Sequence, residues 1–185
     1  YVVTTRENVP LIKMELPKLK NSNLIVEPLR RNTAAAIYLS CRVIGDRLGR
    51  NETVSFFPAD HLIQNESLFK QTIKNAIAVA QKNKVLVTLG IRPTFPATGY
   101  GYIRTGSATP NSTDTYAVKH FAEKPSLPKA AQYLKSGRYL WNGGIFTWKI
   151  GVFLDAMKKG APEFGRKSYK KLPKISIDCA LHEKT

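Results

Sequence analysis

The stretch LIVEPLRRNTAAAIYLSCRVIGDRLG, residues 24–49, decides the fold class. It begins with a short apolar run that ends before Pro28, because proline cannot donate a hydrogen bond inside a sheet. Asn32 and Thr33 can then cap a helix whose apolar residues recur at helical spacing up to Gly49, a typical helix terminator. The stretch therefore predicts a strand, a loop and a helix in succession.

The same order recurs downstream. A β-branched and aromatic run, Thr53 to Phe57, is broken by Pro58 and followed by a second helix. Its predicted inner face consists of Leu68, Thr72, Ala76 and Ala80. Strands that alternate with helices favour a mainly parallel sheet covered on both faces. We therefore predict an open α/β fold with a mainly parallel central sheet flanked by helices.

The second half of the chain is less regular. Prolines and glycines punctuate a long loop before Tyr102, and residues 107–115 form a polar, turn-rich insert. Five further elements are predicted. They are strands at Val85 to Leu89, Tyr116 to Phe121 and Tyr139 to Trp148, a helix between the last two that Ser126 can cap, and a last amphipathic helix that carries Val152, Phe153, Ala156 and Met157. At 185 residues the chain suits one domain, residues 1–185.

Composition excludes several classes of protein. With 43% hydrophobic residues, no apolar run approaches the roughly 18 residues of a membrane span, and no signal-peptide layout is present. We expect a cytoplasmic protein without a membrane partner. The two cysteines lack the spacing of a zinc site or a disulfide framework, which favours free thiols.

The formal net charge of +16 admits two accounts: a surface for a polyanion, or a lysine-rich solvated surface. The second is favoured, because the basic residues are scattered along the whole chain, with a local cluster from Arg166 to Lys174 and no regular interleaving of aromatics. We therefore expect no specific nucleic-acid partner.

Both ends of the sequence suggest an incomplete domain. Tyr1 opens a run typical of a buried strand, and the last residues follow an apolar stretch without a stop signal. We expect the domain to be truncated at both ends, with an unpaired strand edge that invites self-association.

Polar residues follow several predicted strands, where ligands bind in open α/β sheets. They are Glu27, Asp60, Glu123, Lys124 and Asn142, and in a sheet of this kind we expect these positions to converge in space. Chemistry alone leaves two readings of each: Asp60 is a helix cap or a metal ligand, and the Glu123–Lys124 pair is a surface ion pair or a sugar-phosphate contact. Magnesium bound with a nucleotide needs only one or two protein carboxylates, so one aspartate suffices for a site.

The sequence lacks the motifs of enzymes that bind nucleotides through a dinucleotide-binding fingerprint or a P-loop, and of hydrolases with a nucleophile elbow, which excludes these classes. The sequence has no G-x-G-x-x-G at a helix start and no G-x-x-x-x-G-K-[ST] phosphate loop. It also lacks a nucleophile elbow.

Six motifs follow one another along nearly the whole chain. They are Glu27-Pro28-Leu29-Arg30-Arg31-Asn32-Thr33-Ala34, Phe57-Pro58-Ala59-Asp60-His61, Thr98-Gly99-Tyr100-Gly101-Tyr102-Ile103, Phe121-Ala122-Glu123-Lys124-Pro125, Trp141-Asn142-Gly143-Gly144-Ile145-Phe146 and Ile175-Ser176-Ile177-Asp178. In this order and spacing they resemble the sugar nucleotidyltransferases, and among them the mannose-1-phosphate guanylyltransferases.

The resemblance implies a Rossmann-like nucleotidyltransferase fold. It implies that GTP and mannose 1-phosphate give GDP-mannose and pyrophosphate by Mg²⁺-assisted attack on the α-phosphorus. Guanine would bind near Pro28, Arg31, Asn32 and Thr33. The sugar would lie among Gly99, Tyr100, Glu123, Asn142 and Gly144, with Lys124 at its phosphate. Asp60 would be the magnesium ligand, which makes Asp60 and Lys124 the expected catalytic residues.

The chain departs from the family pattern in two respects. The family's glycine-rich opening loop and a second metal-binding aspartate lie outside it, so we expect this piece alone to be inactive. Gly143 stands where the family commonly has serine. Open alternatives are another base or sugar, and a non-catalytic basic binding relative. A C-terminal isomerase domain and homo-oligomer formation are also left open.

Overall fold

The computed structural model describes residues 1–109 and 114–182, so residues 110–113 of the predicted polar insert lie outside the described part. The strands are β1 (Val2–Thr5), β2 (Leu24–Glu27), β3 (Thr53–Phe56), β4 (Val87–Ile91), β5 (Tyr102–Ala108), β6 (Tyr116–Ala122) and β7 (Tyr139–Lys149). The helices are α1 (Val9–Glu15), α2 (Asn32–Leu48), α3 (Glu66–Asn83), α4 (Leu127–Ser136), α5 (Ile150–Gly160), α6 (Glu163–Arg166) and α7 (Ile177–His182). Short 3₁₀ turns lie at Arg6–Asn8, Asn21–Asn23 and Tyr169–Lys171. In the described part, no helix is long and apolar enough to cross a bilayer.

The contacts divide the chain into two compact units. Unit 1 comprises Tyr1–Val54, Gln81–Leu86 and Trp148–Thr185, and unit 2 comprises Ser55–Ala80 and Val87–Thr147. The interpretation of residues 1–185 as one domain stays a prediction.

Unit 1 contains a two-stranded parallel sheet and a helical core. Strands β1 and β2 pair in parallel from Val2 opposite Leu24 to Thr5 opposite Glu27. Helix α2 packs against α5 and α7. A Cβ at Gly45 would lie 3.0 Å from Ile150 Cγ2, so glycine permits the close approach of α2 and α5.

Helix α2 forms where the sequence predicts it. It begins at Asn32 and is capped by Gly49, whose positive φ of 105° suits glycine. Of its predicted inner positions, Ile37, Cys41 and Ile44 are buried, whereas Leu48 is 57% exposed. The prediction of Leu48 as an inner residue is wrong, because the helix face leaves the core in its last turn.

Unit 2 carries most of a five-stranded sheet, in which β7 is central. The strand order is β3-β7-β5-β6, and β4 also pairs with β7. Strand β7 pairs antiparallel with β4 and β5, and β5 pairs antiparallel with β6. The α/β class is confirmed, but the expectation of a mainly parallel sheet holds only in part. Antiparallel neighbours need no crossover helix between them, so the alternation of strands and helices in the first half of the chain does not predict the pairing of β5 with β6 or of β7 with β4 and β5.

The core of unit 2 is aromatic. The buried residues Ala97, Tyr102, Ala130, Tyr133 and Trp141 form one cluster between the sheet and α4. Tyr102 is fully buried, and its hydroxyl donates to the carbonyl of Ala97 at 2.9 Å. The hydroxyl of Tyr102 is therefore paired despite its burial.

The sequence pattern did not predict three of the helices. Helix α1 has Pro10 in its first turn, buries none of its residues and is only seven residues long, so it spans too few turns to show a helical period. Helices α6 and α7 are only four and six residues long, too short to display helical periodicity.

Candidate functional site

In unit 2, Asn142 lies at the polar edge of the sheet and forms hydrogen bonds with Gly101, Gly144 and Thr88. Its backbone amide donates to the carbonyl of Gly101 at 2.8 Å. Its side-chain Oδ1 accepts from the amide of Gly144 at 3.1 Å and from the hydroxyl of Thr88 at 3.4 Å. Gly144 has a φ of +64°, a conformation that glycine adopts without strain. Asn142 thus stabilises the turn that presents Gly144.

Gly101 lies between Glu123 and Asn142. A Cβ at position 101 would lie 3.2 Å from Glu123 Oε2 and 3.6 Å from Asn142 Cβ. The structure therefore brings together three motifs that are separated by 22 and 19 positions in the sequence. Of the residues predicted to meet at strand ends, Glu123 and Asn142 do so here, whereas Glu27 belongs to unit 1.

Lys124 has an unusual backbone conformation. Its φ is +36°, which costs an L-residue roughly 1 kcal/mol or more. Its Nζ lies 3.7 Å from Glu123 Oε1, and both side chains are more than half exposed. Backbone strain of this kind concentrates at functional sites. The pair offers an acceptor for hydroxyls beside a cation for a phosphate.

Aromatic rings border this cluster. The rings of Tyr100 and Trp141 meet edge-to-face with centroids 5.2 Å apart, and Phe95 contacts Trp141 at 4.9 Å. Tyr100 remains 49% exposed, whereas Trp141 is buried. Trp141 therefore packs against Tyr100, and about half of Tyr100 stays exposed to solvent. Gly99 is exposed, with no atom within 4 Å of a Cβ placed there.

Asp60 lies in a turn that follows β3, and its side chain is exposed. The same loop contacts β7, because a Cβ at Gly144 would lie 3.3 Å from Pro58 Cγ. Within residues 1–109 and 114–182 the Asp60 carboxylate has no hydrogen bond or ion pair, so it is not engaged as a helix cap. A carboxylate in this state is free to bind a ligand.

In unit 1, a cavity of about 460 Å³ opens where β1 and β2 end and α2 begins. Its walls are Val3, Thr4, Thr5, Asn8, Glu27, Arg30, Arg31, Asn32, Thr33 and Ala36. Three of the four predicted nucleotide-binding residues therefore line it, and the fourth, Pro28, lies exposed in the loop after β2.

The start of α2 is already well hydrogen-bonded. Asn32 adopts a φ of +66°, and its Oδ1 accepts from the amide of Thr33 at 2.7 Å. The amide of Ala34 donates to the carbonyl of Ile175 at 3.3 Å. The hydroxyl of Thr33 accepts from the amide of Ile177 at 3.0 Å, so it fixes α7 and retains its proton as a donor.

Two charged residues of the cavity are held from a distant segment. The hydroxyl of Tyr169 donates to Glu27 Oε2 at 2.5 Å, and the guanidinium of Arg31 donates to the carbonyl of Lys170. Arg31 Nε is buried without a hydrogen-bond partner in the described part of the chain. Burial and the hydrogen bond to Glu27 raise the pKa of the Tyr169 phenol. Tyr169 therefore stays protonated near neutral pH.

Residues 1–181 match the family model of the nucleotidyl transferases. The chain belongs to the nucleotidyl transferase family. A mannose-1-phosphate guanylyltransferase of Sinorhizobium fredii is 38% identical over 184 residues, 89% of this chain and 35% of that protein. The mannose-1-phosphate guanylyltransferase RfbM of Salmonella typhimurium is 40% identical over 165 residues, 89% of this chain and 34% of that protein. The chain thus spans about a third of the length of these curated relatives.

Solved structures of similar sequence share the fold. One, described as a mannose-1-phosphate geranyltransferase from Thermus thermophilus, matches with a TM-score of 0.86 and 30% identity, covering 98% of this chain and 55% of that one. Another, described as a mannose-6-phosphate isomerase from Helicobacter pylori, has a TM-score of 0.81 and 34% identity, covering 99% of this chain and 77% of that one. The predicted resemblance and the nucleotidyltransferase class are therefore confirmed at the level of the family.

Sequence reasoning missed two residues beside the predicted sites. Trp141 was quoted only as part of a motif, although it contacts Tyr100. Tyr169 was not singled out, because no local pattern connects it to Glu27, 142 positions earlier. The only sequence signal for Tyr169 is that it is an aromatic residue within the basic stretch that follows Pro162.

Proposed function

We propose that the full-length protein is a mannose-1-phosphate guanylyltransferase that converts GTP and mannose 1-phosphate into GDP-mannose and pyrophosphate. The observation that carries the proposal is the cluster around Gly101, in which Glu123 and Asn142 flank one glycine. The names of the relatives support the choice of substrates. Roles of individual residues are part of the proposal.

The unit 2 cluster suits a sugar phosphate. The exposed Glu123 carboxylate can accept hydrogen bonds from sugar hydroxyls, and the adjacent Lys124 ammonium can neutralise the phosphate. Gly101 and Gly144 let a ligand approach the backbone, and Tyr100 supplies an exposed aromatic face. Asn142 stabilises the turn at Gly144, in addition to any contact that it makes with the sugar.

The unit 1 cavity suits a guanine nucleotide. Guanine presents two adjacent N–H donors on one edge, which match the oxygens of a carboxylate such as Glu27, whereas adenine presents an acceptor there. Arg31 supplies a permanent positive charge for an anionic nucleotide. Asn32 and Thr33 form the first turn of α2, whose partial positive charge favours anions.

Asp60 fits a magnesium ion. Its carboxylate is exposed and has no partner among the described residues, and Mg²⁺ in nucleotide sites commonly takes one or two carboxylates together with phosphate and water oxygens. When bound, the ion would neutralise the phosphate charge that develops during transfer. The role of Asp60 is to hold it.

The reaction needs positioning rather than covalent catalysis. A phosphate oxygen of mannose 1-phosphate forms a bond to the α-phosphorus of GTP, and the bond from that phosphorus to the departing pyrophosphate breaks. Lys124 reduces the repulsion between the anionic reactants. The absence of a nucleophile elbow from the sequence is consistent with this requirement. Cytoplasmic location and homo-oligomer formation stay predictions.

The test is pyrophosphate release by the purified full-length protein with Mg²⁺. GTP, ATP, UTP and CTP are each paired with mannose 1-phosphate and with glucose 1-phosphate. We expect the highest kcat/KM with GTP and mannose 1-phosphate. Higher activity with another pair would identify a different sugar nucleotidyltransferase, and no release with any pair, together with steeply salt-sensitive nucleic-acid binding, would favour the non-catalytic alternative.

A further inference from the structure

One short turn holds both charged residues that the nucleotide cavity needs. In the 3₁₀ turn Tyr169–Lys171, the Tyr169 hydroxyl binds Glu27 and the Lys170 carbonyl accepts from Arg31. Glu27 is the last residue of β2, and Arg31 lies directly before α2. The turn therefore adds a contact to a side chain at the end of each element. The turn comes from a segment more than 130 positions further along the chain.

The contact with Tyr169 leaves Glu27 partly free. Only Oε2 accepts from Tyr169, and Oε1 has no hydrogen-bond partner within residues 1–109 and 114–182. Glu27 is half-buried at the cavity wall, so Oε1 is available to a ligand. A hydrogen bond to one oxygen restricts the rotation of the carboxylate, which narrows the range of directions in which the other oxygen accepts.

The direction of the hydrogen bond is also fixed. The carboxylate is the acceptor, because burial and Glu27 itself raise the pKa of the Tyr169 phenol and keep its proton in place. Other charges near this pair are Arg31, which donates to the neighbouring carbonyl, and Arg30, which pairs with Glu7 at 3.1 Å. In the described part of the chain, Glu27 therefore has no salt bridge that would compete with a ligand.

We propose that Tyr169 is a positioning residue for nucleobase selection: it orients the Glu27 carboxylate toward the N–H edge of guanine. This inference rests on the proposed use of a guanine nucleotide. It assigns the Tyr169–Lys171 turn to the nucleotide cavity, beyond the Glu27–Ala34 motif. Tyr169 acts through Glu27 and makes no contact with the reacting phosphates.

The test measures binding rather than turnover. Dissociation constants for GTP and for ATP are determined by calorimetry on the full-length protein and on its Tyr169→Phe variant, which keeps the ring and removes the hydroxyl. Loss of a hydrogen bond to a charged group corresponds to about a tenfold change in an equilibrium constant. We expect GTP to bind about tenfold more weakly while ATP binding changes less than twofold.

Two further variants separate positioning from a general loss of structure. Tyr38→Phe removes a tyrosine hydroxyl that lies outside the cavity walls, so it should leave both dissociation constants unchanged. In a Glu27→Gln background, Tyr169→Phe should cause no further loss of guanine preference, because two residues that act as one unit are not additive. Thermal unfolding identifies any variant that has simply lost its fold.

Three results would overturn the inference: a Tyr169→Phe variant that keeps the GTP-to-ATP ratio of the wild type, equal weakening of both nucleotides, or additive effects in the Glu27→Gln background. A wild-type protein without preference for GTP would also overturn it. Pyrophosphate release tests the proposed function separately. A protein that prefers GTP but releases no pyrophosphate would contradict the proposed function and leave the inference about Tyr169 standing.

Discussion

The backbone amide of Asn142 donates a 2.8 Å hydrogen bond to the carbonyl of Gly101. This bond joins β7 to the loop before β5, and it places Asn142 and Glu123 on either side of Gly101. The polar cluster of unit 2 is therefore attached to the sheet through Asn142 of β7 and through the ends of β5 and β6. Sites supported in this way keep their geometry when a ligand arrives.

Gly144 and Gly137 provide a matched pair of glycines, since both have a φ of +64°. Replacement by alanine costs roughly 1 kcal/mol of stability at either position because of backbone strain. At Gly144 the new Cβ also lies 3.3 Å from Pro58 Cγ, whereas at Gly137 it meets nothing within 4 Å. We expect Gly144→Ala to raise the KM for mannose 1-phosphate at least tenfold and Gly137→Ala to leave it unchanged. Steady-state kinetics and thermal unfolding measure the two effects, and equal kinetic behaviour of the variants would contradict the account.

Lys124 and Lys84 permit a second matched comparison, since φ is +36° at Lys124 and +53° at Lys84. Glycine at either position should raise stability by about 0.5–1 kcal/mol through relief of strain. Only Lys124→Gly removes the charge proposed for the sugar phosphate, so only this variant should lose activity, by about 100-fold in kcat/KM. The outcome that speaks against the proposal is a stabilised Lys124→Gly protein with normal kinetics.

The thiol of Cys41 predicts a pH effect on stability. Burial raises its pKa from 9.0 to about 12, opposed in part by a hydrogen bond with Trp148. The folded state therefore favours the protonated thiol, and this stabilising contribution is complete below pH 9 and is lost as the pH rises toward 12. Melting temperatures between pH 8 and roughly pH 11 should fall more steeply for the wild type than for Cys41→Ala. Cys179→Ala, in a half-buried position, is the control, and a slope for Cys41→Ala equal to that of the wild type would refute the prediction.

Local patterns predicted the elements that carry their own signals. Helix α2 follows from an apolar stripe that ends at Gly49, although the residue before the helix is Arg31, which makes no side-chain capping hydrogen bond. The strand preceding it follows from a run broken by Pro28. The polar residues at strand ends were predicted to meet, and Gly101 lies beside both Glu123 and Asn142. These features depend on neighbours in the sequence or on a general property of sheets.

Long-range relationships could not be predicted in this way. The antiparallel pairing of β7 with β4 and β5 depends on the path of the connecting loops, which composition does not specify. The contact of Tyr169 with Glu27 depends on where the last third of the chain folds back. Thr33 was predicted to bind nucleotide, yet its hydroxyl also holds the amide of Ile177, a second role that no motif reveals.

The central claim is that Asp60 holds a divalent cation for nucleotidyl transfer, and the most direct test is the Mg²⁺ dependence of pyrophosphate release from GTP and mannose 1-phosphate. The comparison uses the full-length wild type, Asp60→Asn, and Asp46→Asn as a control carboxylate exposed on α2. We predict saturable activation by Mg²⁺ in the wild type and in Asp46→Asn, and a loss of at least 100-fold in kcat/KM for Asp60→Asn with an unchanged melting temperature. Wild-type kinetics and an unchanged Mg²⁺ dependence in Asp60→Asn would contradict the account.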